Sequence, residues 1–271
     1  PFYSKTQKNL QPLRTIQEKL ERVQDFRPID DVFFEALAQN KEVCQEILRV
    51  IMEDKELIVE SVITQCSENN LYGRSVRLDA LCTLCNGTKC NIEVQRADND
   101  DHLKRVRFNA SSITVKESNP GEHFKDILEL YMVYISEFDF LKGGKTIYHV
   151  DKVLRETGKV IDDGLHEIYV NTVIDDGSDI SDLMACFMKK EVKNSKFPAL
   201  SAEVSRLKET EGGAQSVCAV MERYERMAVK KEKIERIIVM IEKGYSKEDI
   251  LDIGYTEDEY CEARTQMMLQ S

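Results

Sequence analysis

Five prolines and twelve glycines in 271 residues are too few for a collagen-like or Gly/Pro-rich low-complexity chain. Long apolar runs are also missing. The longest, 130–135 and 237–241, fall far short of the roughly 20 residues that a membrane helix needs. The N-terminal stretch PFYSKTQKNLQPLRTIQEKLERVQ has no apolar segment of the kind a secretory signal carries. The chain begins at Pro1 and not at Met, as a fragment or a processed chain does. Eight cysteines are too sparse for a disulfide framework, so free thiols in a reducing cytoplasm are the expectation. The four histidines, His102, His123, His149 and His166, show neither HExxH nor triad spacing, and surface or loop roles are expected for them. Neither GxGxxG nor GxxxxGK[ST] occurs, so neither a dinucleotide nor a P-loop phosphate site is suggested.

What is present is an ordinary globular composition, 42% hydrophobic and 32% charged. The length allows one large domain or two smaller ones, each with enough chain to bury a core. The net charge of −11 argues against a protein that coats nucleic acid through its overall field. It is compatible with an enzyme that touches DNA through one local basic face.

Periodicity divides the chain. Leu10, Leu13, Ile16, Leu20 and Val23 recur at helical spacing, and Pro28 ends that pattern. Residues 30–52 read as one long helix or two short ones. The β-branched run 57–63 (LIVESVI) reads as a strand, followed by a polar loop over 68–74. Residues 75–85 and 90–97 alternate in polarity around Asn86-Gly87, a strong hairpin signal. A helix over 100–115 and a mostly apolar strand over 127–140 follow, then Gly143-Gly144. A second strand pair, 148–154 and 166–173, comes next. This order predicts a mixed α/β domain on one sheet. Everything after Asp175 reads as helical, over 178–192, 197–210, 217–243 and 247–268, with Glu211-Gly212-Gly213-Ala214 as a linker. The expected division is an N-terminal helix over 1–27, an α/β domain over 28–210 and a helical tail over 215–271.

The hairpin carries the chemistry. A two-residue Asn86-Gly87 loop would pair Asp79 with Val94 and send Glu93 to the opposite face. A three-residue loop, Asn86-Gly87-Thr88, pairs Asp79 with Gln95 and gathers Asp79, Glu93 and Gln95 on one face. A one-residue slip inverts every side chain, and burial favours the register that segregates apolar from polar. The sequence therefore predicts the three-residue loop, with Gly87 in a left-handed conformation. Two carboxylates on adjacent strands beside a polar neighbour suit a hard cation such as Mg²⁺, which takes one or two protein carboxylates and completes its shell with water and phosphate. The plainer reading is two solvated carboxylates on an outer sheet face.

Taken in order, Asp30-Asp31-Val32-Phe33-Phe34, Arg77-Leu78-Asp79, Asn91-Ile92-Glu93-Val94-Gln95 and Lys104-Arg105 resemble the PD-(D/E)XK nuclease family transposases, also called recombination-promoting nucleases. The resemblance spans about residues 28–175. It implies a restriction-endonuclease-like fold, a mixed sheet flanked by helices with an α-helical tail, and Mg²⁺-dependent DNA cleavage, with Mn²⁺ or Ca²⁺ as substitutes. It implies that Asp79 and Glu93 are the metal ligands and that Gln95 orients water or phosphate. Asp31 would assist from the first helix, with Glu46 a weaker acid there. Lys104, Arg105 and Arg107 would contact DNA phosphates. Departures stand beside it: Glu35 follows the Phe where Lys is usual, Phe108-Asn109 replace a Tyr pair, and Gln95 replaces the Lys of many relatives. Without that Lys, the site is expected to lack a fixed cation near the scissile phosphate, so a degenerate relative that binds DNA or protein is the alternative.

Other features have plainer readings. Cys82-Thr83-Leu84-Cys85 with Cys90 and Cys66 invites a zinc site, but Cys82 and Cys85 belong on opposite strand faces and Cys82 reads as a small buried hydrophobe. Arg96 joins Lys104, Arg105 and Arg107 in a basic set interrupted by Asp98, Asp100 and Asp101. Residues 244–260 resemble half of a helix-turn-helix, with Ser246 and Thr256 as N-caps, yet are acidic and read better as a packing or self-associating hairpin. The expected partners are DNA and, through that tail, a second copy of the chain, but no membrane.

Overall fold

The computed structural model describes residues 16–69 and 75–268, with side chains at 17–64 and 78–268. Leu10 and Leu13, residues 70–74 of the expected loop, and the side chains of Cys66 and Arg77 lie outside the described residues, while 68 and 69 belong to a strand. The helical stretch after Pro28 divides in two. The side chain of Asn40 accepts a hydrogen bond from the Glu42 N–H and caps a new helix, so α2 covers Asp31–Ala38 and α3 covers Lys41–Ile51, after α1 at Ile16–Asp25. Phe33 and Phe34 of α2 are fully buried, each worth roughly 1.5–3 kcal/mol of apolar burial.

The strands are β1 (Val59–Asn69), β2 (Ser75–Leu84), β3 (Lys89–Gln95), β4 (Leu130–Ser136), β5 (Ile147–Val150), β6 (Lys152–Val153), β7 (Val160–Ile161) and β8 (Leu165–Asn171). Six of them form one sheet in the order β1-β2-β3-β4-β8-β5. β3, β4 and β8 run parallel and the remaining pairs are antiparallel. β6 and β7 make a separate two-stranded ribbon. The central strand is shorter than the apolar run 127–140 suggested. Asp139 ends it by accepting from the N–H groups of Lys142 and Gly144 and from the Tyr148 hydroxyl, which folds the next residues into a loop.

The sheet is covered on both faces, as a sheet with parallel strands must be. Ala80, Cys82, Cys90, Ile92, Val133 and Ile168 face α2, α3, α5 (Asp179–Phe187), α6 (Pro198–Glu209) and the start of α7 (Glu211–Glu242). Leu81, Met132, Tyr134 and Tyr169 face Val106, Ala110 and Ile113 of α4 (His102–Glu117). Among the described residues, no helix is long and apolar enough to cross a membrane.

The hairpin register departs from expectation. The three-residue loop is Cys85-Asn86-Gly87, and the ladder pairs Ala80 with Ile92 and Thr83 with Lys89. Gly87, at φ +89°, takes the left-handed position that closes the loop. The loop starts one residue earlier than predicted, so the pairing shifts by two and the paired side chains from Ala80 to Thr83 and from Lys89 to Ile92 keep their faces.

The expected linker is also different: Thr210 caps the Gly213 N–H and residues 211–214 are the first turn of α7. Gly213 is required by close approach, because a Cβ there would lie 2.1 Å from the Arg206 carbonyl oxygen. Alanine would gain about 1 kcal/mol in helix propensity. Forcing backbone apart costs roughly 1–3 kcal/mol or more, so Gly213→Ala should lower the melting temperature; an unchanged or higher value would show that α6 and α7 can separate freely. In the tail, α8 (Lys247–Asp252) and α9 (Glu257–Met268) pack Ile250 and Ala263 on Ile234 and Ile237 of α7. Ser246 and Thr256 cap their helices.

Candidate active site

One cavity of about 660 Å³ draws its walls from α2, β2, β3, α4 and α7. Asp31, Asp79, Glu93, Gln95, Lys104, Arg105 and Arg107 all line it. Strand alternation accounts for Glu93 and Gln95, which project from β3 on the α4 side. Asp79 stands where β2 and β3 part. The ladder ends at Ala80↔Ile92, and beyond it the Val94 N–H donates to Asp79 Oδ2 at 3.0 Å, so a carboxylate replaces a backbone acceptor. Leu78 leaves the alternation there and packs with Leu81 and Val106.

Glu93 is buried, and its Oε1 accepts from two carboxamides. Asn91 Nδ2 donates at 2.8 Å from the same strand, and Asn109 Nδ2 donates from α4. Burial pushes the Glu93 carboxyl above its ordinary value, opposed by the two amides and by the charge of Arg105. Tyr134, beside Glu93 in the parallel register, is buried and shares a 2.8 Å hydrogen bond with His102. Burial, together with the charges of Glu93, Asp101 and Asp79, holds its hydroxyl protonated against the pull of Arg105.

Both ends of Gln95 are engaged. Its Nε2 donates to the Ala97 carbonyl at 2.6 Å, and its Oε1 accepts from Arg105 Nη1 at 3.0 Å. Gln95 thereby holds the Arg105 guanidinium at the cavity. That guanidinium also pairs with Asp101 at 3.5 Å. A fixed cation therefore does reach the cavity, from α4 and not from position 95. Lys104 and Arg107 are exposed on the same wall.

Several candidates sit elsewhere. Asp30 turns away from the cavity to Arg96 (2.6 Å) and the Arg27 N–H (2.6 Å). Arg96 also bonds Glu137 and so leaves the basic set. Glu46 accepts from the N–H groups of Ala199 and Leu200, capping α6, whose own N-cap position holds Phe197. His102 is buried between Asp98, Tyr134, Phe138 and Phe140, contrary to a surface role. Cys82 is buried and Cys85 exposed. Contact with Cys44 and burial push the Cys82 thiol up, whereas a zinc ligand must be a thiolate.

Asn109 and Tyr224 are site residues the sequence did not single out. Asn109 occupies a position noted only as a departure from a Tyr pair. Tyr224 lies on α7 far along the chain and carries no local signal.

Among the described residues, no three or more His, Cys, Asp or Glu side chains gather into a metal cage. The acids that line the cavity, Asp31, Asp79, Glu93 and Asp101, offer carboxylate oxygens. That suits a hard divalent ion that keeps most of its water, and does not suit zinc or a soft metal. The family model described as PD-(D/E)XK nuclease family transposase matches residues 28–173. No curated protein and no solved structure matches the chain.

Proposed function

The chain belongs to the PD-(D/E)XK nuclease family transposases, and from that premise we propose that it is a metal-dependent DNA endonuclease. The observation that carries this reading is the convergence of acids and cations on one cavity: Asp31, Asp79 and Glu93 with Lys104, Arg105 and Arg107. Asp79 and Glu93 would hold a divalent cation, Mg²⁺ first, with Mn²⁺ or Ca²⁺ as substitutes. Such an ion polarises a phosphodiester and lowers the pKa of a bound water. The protein's own groups do the rest. Asn91 and Asn109 fix one oxygen of Glu93 and so aim the carboxylate. Gln95 and Asp101 fix Arg105, a pre-oriented positive charge for the phosphoryl oxygens. Lys104 and Arg107 contact the flanking backbone without reading sequence. Asp31 assists from α2.

The cysteines at 44, 82, 85, 90, 186, 218 and 261 are free thiols, which favours a reducing cytoplasm. Incubating supercoiled plasmid with the wild type and with Asp79→Ala in Mg²⁺ tests the proposal. Nicking or linearisation by the wild type alone supports it. No cleavage by either protein in Mg²⁺, Mn²⁺ or Ca²⁺ would move the reading to a degenerate relative that binds DNA or protein.

A further inference from the structure

The family-matched segment, residues 28–173, contains a buried carboxylate that pairs with a cation outside it. Glu35 is 1% exposed and sits on α2 four residues beyond Asp31, so the two side chains share one helix face. A carboxylate this deeply buried requires a partner. It comes from the long helix α7: Arg223 Nη2 makes an ion pair with Glu35 Oε1. The next residue on α7, Tyr224, lines the cavity together with Asp31. One turn of α7 thus neutralises Glu35 and walls the cavity, and one turn of α2 carries both Glu35 and Asp31. Val217, Val220 and Met221, on the preceding turns of α7, are buried in the main core and hold the helix in place. An apolar pair would fill the same space at no desolvation cost. What the ion pair adds is a fixed relation between two helices.

We propose that Arg223 is a positioning residue of the cavity: through Glu35 it fixes α2, and with it the carboxylate of Asp31, so that α7, outside the family-matched segment, sets the geometry of the site. This rests on the nuclease reading above.

The test uses the full chain as wild type, Arg223→Met, Arg223→Lys and the double variant Arg223→Met/Glu35→Gln. The measurements are kcat and KM on a labelled DNA duplex in Mg²⁺, the melting temperature, and Mn²⁺ affinity by calorimetry. Arg223→Met should lower kcat about tenfold or more, as small misplacements of a reacting group do. KM should not change, because Lys104 and Arg107 are untouched, and neither should Mn²⁺ affinity, because Asp79 and Glu93 are untouched. Arg223→Lys should recover most of the rate. The double variant strands no buried charge, so its melting temperature should return towards wild type while kcat stays low. It also carries the test if Arg223→Met does not fold. A double variant with wild-type kcat overturns the positioning role and leaves the nuclease reading standing. A wild type that does not cleave overturns both.

Discussion

Glu93→Gln should lower the proposed cleavage activity by roughly 10³-fold, yet give a protein that melts at a higher temperature than the wild type at neutral pH. Both effects have one cause. Glutamine keeps an oxygen for the Asn91 and Asn109 amides and loses the charge that would hold a cation. That charge is also what the fold resists, since burial pushes the Glu93 carboxyl above its ordinary value despite the amides and Arg105. The sign follows from proton counting. Between the ordinary value and the raised folded value, the native state holds more proton than the unfolded chain, so stability falls as pH rises through that window. Below the window the carboxyl is protonated in both states and the penalty is absent. The melting-temperature advantage of Glu93→Gln should therefore be small in acid and grow towards pH 7. A divalent cation should narrow it, because a ligand at 100 times its Kd adds about 2.7 kcal/mol to a native state that binds it. Melting curves of both proteins across pH, with and without Mg²⁺, check this. A variant that cleaves like the wild type would remove Glu93 from the site. A pH-independent difference would remove the account of its cost.

The two faces of the hairpin were legible because strand alternation needs only parity. Asp79, Glu93 and Gln95 keep their face under a shift of two residues, so misplacing the loop by one residue did no harm to the site. Asp31 was named through the family resemblance and not through any local signal. Only the packed structure shows why it matters: Asp30 is held by Arg27 and Arg96, while Asp31 reaches the cavity. What could not be read are contacts between elements. Arg105 meets Gln95 across a strand–helix turn, and Asn109 meets Glu93 from the next layer. Neither pairing has a periodicity to announce it. Gly212-Gly213 read as a linker because glycine is a poor helix former. The structure uses Gly213 for contact with Arg206, and tertiary packing overrides propensity.

The same override shapes the expected behaviour of shortened chains. Deleting residues 211–271 should leave a protein that does not fold cooperatively, although it keeps the whole family-matched segment. Val217, Val220 and Met221 of α7 are buried in the main core, and three such side chains together amount to roughly 5–9 kcal/mol of apolar burial. Glu35 would lose the Arg223 guanidinium, and breaking a buried pair costs about 3–5 kcal/mol. The sum reaches the total stability of an ordinary domain, about 5–15 kcal/mol. Deleting only 245–271 is a different matter. It removes α8 and α9, whose cluster with Ile234 and Ile237 is separate from the main core. The remaining chain keeps the first half of α7, the Arg223–Glu35 pair and Tyr224, and should melt cooperatively within several degrees of the full chain. Circular dichroism melts of the two deletions decide between two architectures. If the chain ending at 210 folds as well as the longer one, the tail is an appendage and the cavity belongs to the family segment alone. If only the longer chain folds, the site is built from both ends of the sequence, and the first turns of α7 belong to the nuclease-like domain.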